Sequence, residues 1–148
     1  MRSTRLLLAA FAATLTACAS SPPILAPVAF TLEQAADSIP IGYGQTVAVG
    51  NILVSFTDVA DSRCPSRVVC VWAGDGVVSL SATLTCTRST PPCSVPSQLL
   101  TLHTMLEPKS VTYGGLAVRL LGLKPYPEQP GSLKNSDYVA WLQLRSTS

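Results

Sequence analysis

From Val78 onward, the segment GVVSLSATLTC, residues 76–86, alternates between apolar and polar side chains. Successive side chains of a β-strand point to opposite faces, so this pattern predicts a strand with one dry and one wet face. The register of such a strand is strongly specified, because a slip by one residue would place the whole apolar set in water. The apolar positions are Val78, Leu80, Ala82 and Leu84.

The same period recurs along the rest of the chain. Residues 44–59 read as two strands that meet at Gly50 and Asn51, a dipeptide that suits a tight hairpin. Only residues 31–38 have helical character, and that segment is too short to form a stable helix alone. Further strands are expected within residues 97–105, 109–127 and 137–146. About seven or eight short strands, separated by turn-forming residues, predict one antiparallel β-sandwich or small barrel braced by disulfides.

The N-terminus has the layout of a secretory signal peptide: Arg2 and Arg5 precede an apolar run at residues 6–15 that is too short to span a bilayer stably. Its end, LTAC, resembles the lipobox of bacterial lipoprotein signal peptides, in which the cysteine thiol is acylated and becomes the new N-terminus. The resemblance implies a signal peptide at residues 1–17 and a lipid on Cys18. It also implies sorting to the outer membrane, because Ala19 and not an aspartate follows the cysteine.

Processing at Cys18 changes the expected composition and domain layout. Residues 18–29 become a lipidated, Pro-rich tether, and residues 30–148 become the β-domain. Loss of two of the ten basic residues with the signal leaves eight against eight acidic ones. Without a basic patch we expect no nucleic-acid partner. The predicted location is the bacterial envelope, with the domain in the periplasm and the membrane contacted through the N-terminal lipid.

The processed chain keeps four cysteines, an even number that indicates disulfides in an oxidising compartment. Three pairings are open, and sequential pairing is favoured because each such pair closes a short loop that contains proline. A loop of about seven residues would contribute roughly 2 kcal/mol to stability. The spacing disfavours both a thioredoxin-like redox pair and a zinc site. The favoured bridges are Cys64–Cys70 and Cys86–Cys93.

The stretch DSRCPSRVVCVWAGDG, residues 61–76, carries the candidate contact residues. Trp72 is most simply a core aromatic packed on the Cys64–Cys70 bridge, with ligand binding through its ring as the alternative. Asp61 and Asp75, with the nearby Asp58, could gather around calcium, although both aspartates of the stretch read first as turn residues. The candidate contacts are Asp61, Arg67, Trp72 and Asp75.

Catalytic residues are scarce in this sequence. His103 is the only histidine, there is no GxSxG motif, and the wetter face of its strand predicts a surface or hydrogen-bonded side chain. His103 and Met105 supply only two soft copper ligands, which are too few. No motif supports glycosidase chemistry by the carboxylates of Glu33, Glu107 and Glu128. We therefore predict no catalytic residue, cofactor or metal.

The DSRCP and CVWAG motifs, the alternating strand, a later PYP and the terminal DYVAWLQL together resemble a family of small exported bacterial proteins and lipoproteins. This resemblance supports the layout and implies no activity, cofactor or catalytic residue. We expect a membrane-tethered, non-enzymatic binding module that contacts an envelope protein. The alternatives are an envelope hydrolase, with a pocket at His103 or clustered carboxylates, and an inhibitor-like module that presents Arg67 on its braced loop.

Overall fold

Two β-sheets, packed face to face, account for most of the described chain. A computed structural model describes residues 28–30, 38–85 and 97–147, and of residues 28–30 only the backbone. A single turn of 3-10 helix, Asn135–Asp137, precedes the last strand. The strands are β1 (Val28–Phe30), β2 (Ile39–Gly42), β3 (Thr46–Val49), β4 (Ile52–Asp61), β5 (Gly76–Leu84), β6 (Gln98–His103), β7 (Ser110–Tyr113), β8 (Leu116–Lys124) and β9 (Val139–Ser146).

The sheets do not close into a barrel, so the predicted sandwich is confirmed. One sheet has the order β1-β3-β4-β5-β6 and the other the order β2-β9-β8-β7. Every neighbouring pair is antiparallel except β1 with β3, which run parallel. The sequence did not predict that parallel edge, because three residues are too few to show an alternating period.

The alternation of polar and apolar residues places the core as predicted. In β5, Val78, Leu80 and Ala82 are fully buried, whereas the serines between them are half-buried. Phe56 of β4 is also fully buried, with the ring of Tyr43 edge-on at a centroid distance of 5.7 Å. Strands of both sheets contribute to one core cluster, so each sheet covers the dry face of the other.

Glycines make the two tightest hairpins. Gly50 has a φ of 58° in the turn between β3 and β4, which confirms the predicted hairpin. Gly114 and Gly115, with φ of 57° and 80°, form the whole turn between β7 and β8. Two successive residues with positive φ are the requirement of a type I′ turn, whose twist matches that of the strands it joins.

Three long connections emerge at the same end of the sandwich. Asp61 pairs with Gly76 and Lys124 with Val139, so the strand ends on either side of the first and third connections lie side by side, and Val77 pairs with His103, the residue before the second. We call this end, made of residues 62–75, 104–109 and 125–138, the loop end.

Some sequence-based predictions fall outside the described residues, namely the helical character of residues 31–37, Cys18, Cys86 and Cys93. Within the part of the chain that the structure describes, no helix is long and apolar enough to span a membrane.

Two adjacent leucines of β6 test which face of this strand is buried. Leu100 is 1% exposed and Leu99 is 64% exposed, so truncation of the side chain should matter only at Leu100. We expect Leu100→Ala to lower the free energy of unfolding by about 2–5 kcal/mol, and Leu99→Ala to change it by less than about 0.5 kcal/mol. Urea denaturation of both variants measures this. Equal losses would show that the register of β6 is wrong.

Candidate functional site

Arg63 of the DSRCP motif is a buried charged residue of the loop end, with its side chain 6% exposed. The chain turns after β4, so the guanidinium faces the carboxylate of Asp61 two residues earlier. Its Nε donates to Asp61 Oδ1 at 2.8 Å and its Nη2 to Oδ2 at 2.6 Å. The backbone N–H of Arg63 also donates to Oδ1, at 3.0 Å. The pair is therefore bidentate, the strongest arrangement of an arginine with a carboxylate.

The same guanidinium reaches the other sheet. Nη1 donates to the carbonyl oxygen of Leu123 at 2.7 Å, and Nη2 donates to that of Pro125 at 3.0 Å. The Tyr126 ring lies against it, 4.7 Å from the guanidinium carbon to the ring centroid. Arg63 thus joins the end of β4 to the end of β8 and to the PYP motif.

Tyr138 completes this cluster from the start of β9. Its hydroxyl donates to Asp61 Oδ2 at 2.9 Å. Burial raises the pKa of Tyr138, and the hydrogen bond to Asp61 raises it further, to about 12. Burial also raises the pKa of Asp61, but the hydrogen bonds from Arg63 and Tyr138 outweigh burial and leave that pKa below its usual value. Asp61 therefore stays ionised at neutral pH as the acceptor for both side chains.

The disulfide predicted between Cys64 and Cys70 is confirmed, with a Cα–Cα distance of 5.9 Å. The loop that it closes lies along the PYP segment. The N–H of Ser66 donates to the carbonyl of Pro127 at 3.0 Å, and that of Arg67 to the carbonyl of Glu128 at 3.2 Å. These bonds and the bridge fix the loop at both of its ends.

Arg67, predicted as a contact residue, is paired on the surface. Its Nη2 lies 2.7 Å from Glu128 Oε2, and both side chains are mostly exposed. An exposed pair of this kind contributes little to stability. The ion pair with Glu128 nevertheless engages the Arg67 guanidinium, which is the group that an inhibitor-like loop would have to present to a protease.

The two arms of the connection between β4 and β5 form a short stem below the bridge. Ser62 N–H donates to the carbonyl of Asp75 at 2.8 Å, and Cys64 N–H donates to that of Ala73 at 2.8 Å. Gly74 has a φ of 68°, and a Cβ there would lie only 1.8 Å from the carbonyl oxygen of Ser62. The glycine of the CVWAG motif is therefore required by the close approach of the two arms.

Asp75 anchors the neighbouring connection, residues 104–109. Its Oδ2 lies 2.6 Å from His103 Nδ1. Its Oδ1 accepts from the Thr104 hydroxyl at 2.9 Å and from the N–H groups of Thr104 and Met105 at 3.1 and 2.8 Å. Burial raises the pKa of Asp75, but the hydrogen bonds with His103, Met105 and Thr104 lower it to about 2. Asp75 thus holds the start of that loop, and His103 is hydrogen-bonded as the sequence predicted.

The structure does not assemble the calcium site considered for Asp58, Asp61 and Asp75. Asp61 is committed to Arg63 and Tyr138, and Asp75 to His103 and the loop that follows it. Among residues 38–85 and 97–147 no three His, Cys, Asp or Glu side chains are grouped so as to hold a metal ion. Both aspartates instead act as hydrogen-bond acceptors that organise loops.

The other catalytic and metal candidates are not brought together either. Glu107 accepts the N–H of Lys109, and Glu128 binds Arg67, so each carboxylate has a local partner. Glu33 lies outside the described residues. Met105 lies two residues beyond His103, the last residue of β6, so it does not share a strand face with His103 as the copper hypothesis requires.

Two concavities lie at the loop end, and His103 lines neither of them. The larger, of about 380 Å³, lies on the Pro127 side of Arg63 and is bordered by residues 129–133. The smaller, of about 220 Å³, lies between Ala73, Met105 and Tyr126. A hydrolase whose base is His103 would place that histidine in a pocket, so neither concavity favours a hydrolase based on His103.

The prediction that Trp72 packs in the core is wrong. Its side chain is 83% exposed, and Val69 and Val71 are almost wholly exposed. The physical reason is that residues 65–73 extend beyond both sheets, so the bridge and its neighbours have no facing sheet to pack against. We call Val69, Val71 and Trp72 the apolar tip. Met105 and Leu106 of the adjacent loop are also exposed.

In comparisons with known proteins, no family profile, curated protein or solved structure matches this chain. The role of the loop end must therefore be inferred from its own chemistry.

Two arginines in the same connection give a test of the buried cluster. Removal of the Arg63 side chain leaves Asp61 buried without its charge partner, so Arg63→Ala should lower the free energy of unfolding by about 3–5 kcal/mol. Arg67→Ala removes only an exposed pair and should cost less than about 1 kcal/mol. Chemical denaturation measures both. Similar small losses would show that Arg63 does not hold the loop end together.

Two glycines with nearly equal φ test the close approach in the stem. Gly74 and Gly131 have φ of 68° and 66°, but only Gly74 has a neighbour where a Cβ would lie. Gly131→Ala should cost about 1–2 kcal/mol from backbone strain alone. Gly74→Ala should cost about 1–3 kcal/mol more, because the two arms must also move apart. Thermal unfolding at matched conditions compares the two, and equal costs would contradict the close approach.

Proposed function

We propose that this protein is a lipid-anchored, non-enzymatic interaction module of the bacterial envelope and that the loop end is its contact surface. Acyl chains on Cys18 would hold it at the outer membrane with the sandwich in the periplasm. The basic segment, short apolar run and LTAC sequence support the anchor. Several acyl chains on one residue would exceed the two signals needed for stable attachment.

The observation that supports the contact surface is the apolar tip. Val69, Val71 and Trp72 project into solvent from a loop that is closed by a disulfide and hydrogen-bonded to the PYP segment. Exposed apolar groups clustered on a soluble domain usually mark an interaction site, and tryptophan is the residue most enriched at such sites. A preordered loop also loses little conformational entropy on binding.

The polar side chains of the loop end support a binding role over a catalytic one. Arg63, Asp61 and Tyr138 bind one another, and Asp75 binds His103 and its loop. No buried polar side-chain atom within the described ranges is left without a hydrogen-bond partner. These groups are committed to holding loops in place, which is the role expected in a rigid binding scaffold.

Intact mass spectrometry on protein extracted from its native membrane tests the anchor. We expect a chain that begins at Cys18 and carries three acyl groups, and we expect Cys18→Ser to abolish the acylation. The matched control is Cys64→Ser with Cys70→Ser, which should leave acylation of Cys18 unchanged. A mature N-terminus at any other residue, or a free Cys18 thiol, would contradict the proposed function.

A further inference from the structure

The chemistry of the apolar tip restricts what can cover it. Residues 68–74, VVCVWAG, contain no charged side chain. The nearest carboxylate, that of Asp75, is largely buried and bound to His103 and Thr104. Arg67, at the base of the tip, is already paired with Glu128. The tip therefore presents aliphatic and indole surface with no unpaired charge within its own segment.

The shape of the tip favours a fluid apolar partner over a preformed protein pocket. Val69 has its whole side chain in solvent and Trp72 nearly so, which means that this small cluster projects from the surface and does not line a groove. Protein hot spots are usually packed in pockets and surrounded by a rim of neighbouring contacts. A bilayer accepts projecting side chains that no protein pocket surrounds, and the indole of tryptophan favours the level of the headgroups.

The direction of β1 places the anchored end of the chain on the same side as the tip. β4 runs toward the loop end, β3 is antiparallel to β4, and β1 is parallel to β3. Val28, the first residue of β1, is therefore the residue of that strand nearest the loop end. The segment that starts at Cys18 joins the sandwich at the end of β1 that faces the apolar tip.

The segment from Cys18 to Val28 is long enough for the acylated Cys18 and the apolar tip to meet one surface. Val28 pairs with Val47, and Val47 pairs with Val54, so Val28 and Val54 lie at the same height in the sheet. Asp61 lies seven residues further along β4. Seven residues of strand span about 23 Å. The ten residues from Cys18 to Val28 reach at most about 33–36 Å when extended. An acylated Cys18 can thus lie about 10 Å beyond the end of β4.

From these observations we infer that the apolar tip inserts into the headgroup region of the same bilayer that holds the acyl chains. This inference rests on the proposed function, because it takes Cys18 as the lipid-bearing residue. The acyl chains supply the attachment, and Val69, Val71 and Trp72 fix the orientation of the sandwich. The bilayer normal then runs roughly along the strands of the sandwich, and its opposite end, with the β3–β4 and β7–β8 turns, faces away from the membrane.

The two tryptophans of the chain provide an internal comparison. Trp72 lies in the tip, whereas Trp141 lies on β9, paired with Pro40 and Gly122 within the four-stranded sheet. Trp141→Phe leaves only the tip indole, and Trp72→Phe leaves only the sheet indole. We would reconstitute each acylated single-tryptophan protein in vesicles of phosphatidylethanolamine and phosphatidylglycerol, and titrate in lipids brominated on the acyl chains.

We expect bromolipids to quench Trp72 roughly twofold or more, since interfacial apolar segments lie about 5–10 Å deep, and to leave Trp141 unquenched. Adding Val69→Ser and Val71→Ser to the Trp72-only protein should reduce quenching to the level of Trp141. Leu99→Ser is the matched control, because Leu99 is an exposed apolar residue four positions before His103, the last residue of β6 before the loop end. It should leave the quenching of Trp72 unchanged.

Failure of the docking and failure of the anchor give different results. If the protein carries acyl chains and floats with the vesicles while Trp72 is quenched no more than Trp141, bilayer docking is wrong and the tethered module stands, with a protein as the occupant of the tip. If Cys18 is unmodified and the protein stays in solution, both proposals are overturned. Quenching of Trp72 that survives the double serine substitution would overturn the role given to Val69 and Val71 in the insertion.

Discussion

The loop end depends on one buried guanidinium. Arg63 receives no help from helix packing, because the two connections it joins, residues 62–75 and 125–138, contain only one turn of 3-10 helix. Five donor contacts of this residue, one backbone and four side-chain, go to Asp61 and to the carbonyls of Leu123 and Pro125. Buried arginines cost desolvation free energy that only such complete pairing offsets. The arrangement therefore holds the ends of β4 and β8 in one fixed geometry, and Tyr138 adds the start of β9.

The ordered Arg63 cluster also determines where the apolar tip lies. A hydrophobic segment on a free connection would be expected to fold back over the nearest apolar surface. Here the stem of Ser62 and Asp75, the Cys64–Cys70 bridge and the bonds from Ser66 and Arg67 direct the connection outward. Val69, Val71 and Trp72 are kept in solvent by constraints located below them. The Arg63 cluster thus fixes the base of the connection that carries the apolar tip at its far end.

Much of the sandwich could be predicted from sequence because its signals are local. The period of β5, the Gly50 hairpin and the short loop between Cys64 and Cys70 each lie within a few residues, and all were confirmed. The loop end could not be predicted in this way, because Arg63 has partners 60 and 62 residues away. The burial predicted for Trp72 is wrong because that prediction assumes a bridge between facing sheets, as in other sandwich domains, whereas no sheet faces the Cys64–Cys70 bridge. The PYP and DYVAWLQL motifs did carry a signal, since both supply contacts of this cluster.

Amide hydrogen exchange on the unmodified protein tests most directly whether the loop end is an ordered platform. The N–H groups of Ser62 and Cys64 donate to carbonyls on the opposite arm of their own connection, and that of Ser66 donates to the carbonyl of Pro127 in another connection. If the Arg63 cluster fixes those connections, these amides should exchange at rates within about tenfold of the rates of amides in the middle of β4 and β5. Both groups of amides would then exchange through the same opening of the whole sandwich. Fast exchange of all three, with protection confined to the strands, would show a loop end that opens independently of the sandwich and would contradict the role given to Arg63.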